Sequence, residues 1–152
     1  MRHRSSGSRI VVLLALSVLA VRVVGDEPLA AVVHEPQQAR VDYMLNCQGC
    51  HLPEGRGIDG VVPAMQGSVG NFLRLPEGRA FLVQVPGSAN AALDDAALAD
   101  LLNWILMTMS ADELPAGWQP FTAGEVAELR ATPLREVART RSALMARLNA
   151  AR

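Results

Sequence analysis

Two cysteines and a histidine stand within five residues, Cys47-Gln48-Gly49-Cys50-His51, and the chain has no other cysteine. Three chemistries use such groups. A structural zinc site needs a fourth ligand at finger spacing, and the other histidines, His3 and His34, lie far toward the N-terminus. A dithiol redox pair of the thioredoxin kind needs a βαβ setting, and no strand pattern surrounds this one. The third is covalent haem. The thiols add to two vinyl groups as thioethers, the spacer sets both sulfurs along one porphyrin edge, and the histidine is held beneath the iron. Gly49 suits a chain that bends tightly against the ring. The motif thus predicts one haem c, fastened by Cys47 and Cys50, with His51 as axial iron ligand.

Elements must deliver this motif. Val41, Met44 and Leu45 recur at helical spacing and predict a short helix from Gln37 to Asn46, with Met44 in the core. From Leu52 to Gly70 the glycines and prolines predict a loop that approaches a flat ligand closely. Asn71 to Val85 fits short helix or extended chain, and the string Pro-Glu-Gly-Arg, at 53–56 and again at 76–79, reads as a turn in both places. Asp94-Asp95 opens the clearest helix, whose apolar face is Leu98, Leu101, Leu102 and Ile105, with Trp104 beside it. Ser110 to Pro120 is a linker, and Thr122 with Glu125 makes a capping box for a helix through Arg130. Thr132-Pro133 predicts the start of a last helix with the stripe Leu134, Val137, Leu144 and Leu148. No strand pair is predicted. The class is mainly α.

The 152 residues are 50% hydrophobic and 19% charged, which predicts one packed domain rather than disorder. Aromatics are only 4%, and a buried macrocycle would supply apolar volume that they do not. All fourteen basic residues are arginine. Arg2, His3, Arg4 and Arg9 precede an apolar run from Ile10 to Val21, a pattern that predicts an export signal over residues 1–25; the alternative is a retained N-terminal anchor. Without those residues ten arginines face fifteen acids, a net charge of −5, which argues against nucleic acid as a partner.

From Arg40 to Met107 the chain resembles class I c-type cytochromes. Tyr43 precedes the haem motif, which continues as Cys-His-x-x-x-Gly-x-Gly-x-x-Gly-x-x-Pro-x-x-x-Gly through Cys50, His51, Gly55, Gly57, Gly60, Pro63 and Gly67. Trp104 closes the match on a helix that in the family packs across the first. The resemblance implies a helical domain wrapped around one haem over residues 26–116, with a C-terminal helical extension over 117–152 outside the match. It also implies that the carbonyl at Pro63 accepts a hydrogen bond from His51, which fixes the ring and raises its basicity. The implied role is a periplasmic single-electron carrier, not an enzyme, whose donor and acceptor are redox proteins such as a periplasmic dehydrogenase or a respiratory complex. Membrane contact is expected only through an uncleaved N-terminal segment.

One family feature is missing. Where a methionine normally supplies the second axial ligand, the chain reads Val85-Pro86-Gly87-Ser88. Met65 is the nearest substitute, although by the resemblance it takes a leucine's place on the His51 side; Met107 and Met109 end the long helix. If a methionine binds, the iron is six-coordinate and the protein a carrier. If none does, the alternative is a small-ligand-binding haem protein, a sensor or haem enzyme, with an open or weakly held sixth position. Arg56, Arg74 and Arg79 are candidates for the haem propionates. The last helix is free to fold back on the domain, dock on a partner or lie on a membrane surface.

Overall fold

The computed structural model describes residues 27–150, with side chains from Leu29 onward; the proposed signal lies outside them. Among the described residues nine α-helices follow one another: α1 (Glu27–Ala30), α2 (Pro36–Asn46), α3 (Gln48–His51), α4 (Val69–Phe72), α5 (Pro76–Gln84), α6 (Pro86–Ala89), α7 (Asp95–Met109), α8 (Ala123–Arg130) and α9 (Val137–Ala150), with a single 3-10 turn (Ala111–Glu113) between α7 and α8. The only β pairing among these residues is an isolated bridge between Ile58 and Val62. The mainly helical class is as expected, and no described helix is long and apolar enough to cross a membrane.

Helix α7 is the central beam. Asp94 caps it by accepting from the Ala97 N–H at 2.8 Å, and Leu98, Leu101, Leu102 and Ile105 are buried along it. Helix α2 crosses α7 where Tyr43 meets Trp104, with ring centroids 5.5 Å apart and planes 41° apart. The face that α2 presents is not the apolar stripe read from the sequence. Ala39, Asp42 and Tyr43 are buried, whereas Val41 and Met44 are exposed and Leu45 is 76% exposed. Asp42 can sit inside because Gln38 Nε2 donates to its carboxylate at 2.9 Å. Met44 is therefore a surface residue.

Two other boundaries differ from expectation. The second Pro-Glu-Gly-Arg string opens α5 instead of forming a turn, because Pro76 suits a first helical position and an apolar run follows it. Thr132-Pro133 does not start α9, which begins at Val137. The intervening segment is pinned to α5: the Leu134 N–H donates to the Gln84 carbonyl at 2.9 Å, and Gln84 Nε2 donates to the Thr132 hydroxyl at 3.0 Å. That hydroxyl is thereby used on a neighbour rather than as a cap.

The extension packs on the domain in two places. Asn103 of α7, almost fully buried, donates to the Phe121 carbonyl at 3.0 Å and accepts from its N–H at 2.8 Å, which ties down the linker ahead of α8. Leu144 and Leu148 of α9 are buried with Phe72 of α4 and Phe81 of α5, whose rings stack 5.3 Å apart. This cluster stands beside the larger one built on α2 and α7, and a cleft opens between them.

Candidate functional site

The haem motif is a single turn. The Cys47 N–H donates to the Tyr43 carbonyl at 2.9 Å, closing α2, while the Cys47 carbonyl accepts from the N–H groups of Cys50 and His51 at 3.2 and 3.0 Å. The chain then reverses at Leu52, whose φ of 65° is costly for a branched side chain. The reversal is held by Tyr43, whose hydroxyl donates to the Leu52 carbonyl at 2.5 Å. Burial, with the Cys47 and Glu54 charges adding to it, pushes that phenol up to about 12, so it stays a donor at any ordinary pH.

The turn sets Cys47 and His51 into the wall of an apolar cleft that encloses about 1130 Å³ of empty space, part of it open to solvent. Cys50 lies on the exposed side of the turn. His51 Nδ1 is 3.1 Å from the Pro63 carbonyl, so Nδ1 carries the proton and Nε2 is left with a lone pair. Burial lowers the imidazole pKa against the opposing pull of Pro63, which favours the neutral, ligating form. The glycine loop makes this contact possible. Gly57 has a φ of 68° and donates to the His51 carbonyl at 3.0 Å; a Cβ there would collide with the carbonyls of Val62 and Pro63. Burial, then the neighbouring Cys50, pushes the Cys47 thiol up to about 11, so before attachment it is held as the neutral thiol.

Phe72, Phe81, Leu82, Val85, Leu98 and Leu102 supply much of the remaining lining. A deep hydrocarbon cleft with one neutral imidazole and a cysteine on its wall fits a flat apolar macrocycle carrying a metal.

The other candidates are distributed unevenly. Pro63 and Met65 line the cleft with His51. Arg56 does not: it is exposed, paired with Glu54 at 3.1 Å, and borders a neighbouring cleft lined by residues 58–64. Arg74 reaches the Glu113 carbonyl at 3.3 Å. Arg79 is engaged instead by the extension. Its guanidinium grips both carboxylate oxygens of Glu125 at 2.5 and 2.7 Å, donates to the Gln119 and Pro120 carbonyls, and lies 4.1 Å over the Phe121 ring. Four of its five N–H donors fasten the extension to α5, which holds the guanidinium on Glu125 rather than on a propionate. Arg141 was not foreseen. It lines both clefts, and among the described residues no ion pair or hydrogen bond engages it. Its position follows from how α9 docks, for which the sequence carries no local signal.

No family model matches the chain. Two curated proteins do, both named cytochrome c-552 and both from Thermus thermophilus. Each is 34% identical over 106 aligned positions, covering 58% of this chain and 81% or 72% of the relative. Identity at this level over most of each relative, together with a helical fold built around the haem motif, makes this chain a member of the class I c-type cytochromes: a protein that binds haem c covalently and carries electrons between redox partners.

Proposed function

We propose that the protein is an exported, periplasmic monohaem electron carrier, with Cys47 and Cys50 as the thioether residues and His51 as the axial ligand. The observation that supports this most is that Cys47 and His51 open on one apolar cleft with the imidazole Nδ1 already engaged by Pro63. Haem c supplies a metal that changes oxidation state by one electron. The chain does the rest. Cys47 and Cys50 hold the ring, Pro63 orients His51 and makes it a stronger donor, and the hydrocarbon lining excludes water. A low-polarity shell that barely rearranges with charge keeps the barrier to electron transfer small. Arg141, with Arg56 on the same neighbouring cleft, is the proposed partner of a propionate. The basic, apolar N-terminus supports export, since haem c is attached outside the cytoplasm. A dehydrogenase or a respiratory complex is the proposed donor or acceptor class.

The test is maturation in a bacterium equipped for haem c assembly. The periplasmic product should be red, keep its haem through acidified-solvent extraction, and titrate reversibly with one electron. A colourless product, or haem that extracts, would overturn this function.

A further inference from the structure

We propose that no side chain among residues 29–150 fills the coordination position opposite His51, so that a small uncharged diatomic molecule binds the ferrous haem there, against the wall formed by Phe72, Phe81, Leu82 and Val85. This rests on the haem-binding role of the cleft proposed above. The donor inventory of the cleft is short. Thioethers, imidazoles, amines and thiolates bind iron; of these the lining holds Cys47, His51 and Met65. Cys47 is committed to the thioether. Met65 belongs to the His51 side: its N–H donates to the Gly55 carbonyl at 2.7 Å, it follows Pro63 by two residues, and it packs on the cluster that holds Tyr43, Met109 and Cys47. Val85 packs on the other cluster, with Phe72 and Phe81.

The connection from Val85 to Asp94 cannot supply a ligand either. Helix α5 ends at Gln84 and α6 begins at Pro86, so Val85 is the whole junction, and the following residues to Asp94 include no methionine, histidine, lysine or cysteine. The other thioethers are elsewhere: Met44 is half exposed on α2, Met109 is buried beside Gly55, and neither Met107 nor Met145 lines the cleft. Arg141 and Ser88 are polar members of the lining, but a guanidinium has no free lone pair and a neutral hydroxyl is a weak donor to iron.

Carbon monoxide is the probe. It donates its carbon lone pair to ferrous iron, with no oxidation, reduction or proton transfer, and it asks no hydrogen bond of a hydrocarbon wall. Added to the reduced holoprotein, it should shift the main haem absorption band within the mixing time. Val85→Met should lower the carbon monoxide affinity about 100-fold if the new thioether occupies the position about 99% of the time. Met65→Leu should leave the spectrum of the reduced, ligand-free protein unchanged. The proposal is overturned if the reduced wild-type spectrum ignores saturating carbon monoxide, or if Met65→Leu alone converts a six-coordinate spectrum to a five-coordinate one. Either result, in protein that keeps its covalent haem and titrates reversibly, leaves the carrier function standing. Loss of haem would instead defeat the carrier function itself.

Discussion

Tyr43 is the only tyrosine in the chain and works twice, packing on Trp104 and holding the reversed backbone at Leu52. Its phenol is raised chiefly by burial, a cause that survives haem attachment even though the Cys47 charge does not. A group whose folded pKa lies above its unfolded value stabilises the fold fully below the unfolded value, near 10, and loses that contribution as pH climbs toward about 12. Because the chain has no lysine, no side-chain amine titrates across this window. We expect stability to fall by about 2 kcal/mol between pH 10 and 12, read from denaturant midpoints. Tyr43→Phe should flatten that pH dependence while lowering stability at neutral pH. An unchanged slope would show that another group is responsible.

At the scale of elements, arginines rather than acids fasten the helices that frame the cleft. Arg130 of α8 donates to the Ala89, Ala91 and Leu93 carbonyls at 2.9 to 3.2 Å and to Asp95 at 3.1 Å, holding the connection between α6 and α7. Ala91 lines the cleft, so this clamp also sets one of its edges. The side chain is only 18% exposed, and its loss leaves several carbonyls short of a donor. Arg130→Leu should cost about 2–4 kcal/mol, measured by chemical unfolding of the oxidised holoprotein. Arg79 does the same between α5 and the extension, through Glu125 and two carbonyls. The pair Arg56–Glu54 is the contrast: both side chains are more than half exposed, and removing it should change stability little.

For the molecule as a whole, the extension completes one wall of the cleft proposed for the haem. Helix α9 buries Leu144 and Leu148 on Phe72 and Phe81 and brings Val137 and Arg141 to the cleft wall. This packing favours a helix folded back on its own domain over one reserved for a membrane surface. Removing everything after Thr132 should expose the Phe72–Phe81 stack, lower stability by several kcal/mol at about 2–5 kcal/mol per buried leucine lost, and let water reach the haem edge. Water stabilises the more highly charged oxidised form, so the reduction potential should fall. Both effects are read on purified holoprotein, by denaturant titration and potentiometry. A truncated protein with unchanged potential would mean that α9 does not shield the haem.

The family resemblance carried the Pro63 contact with His51; the haem motif, the helix opened by Asp94, the glycine loop and the helical class were legible from residue types and spacing alone. Each is set by bonds or backbone angles within a few residues, and short-range geometry is what a sequence pattern encodes. The buried face of α2, the start of α9 and the duties of Arg79 and Arg141 were not. Val41, Met44 and Leu45 look like a core stripe, yet α7 meets the side bearing Tyr43 and Asp42, because a ring packed at a tilt on Trp104 and a hydroxyl bonded to Leu52 favour that face. Arg79 is indistinguishable in sequence from a propionate ligand until α8 brings Glu125 to it, 46 residues away. Which of several competent partners a side chain meets is decided by packing between distant segments, and only the tertiary structure carries that information.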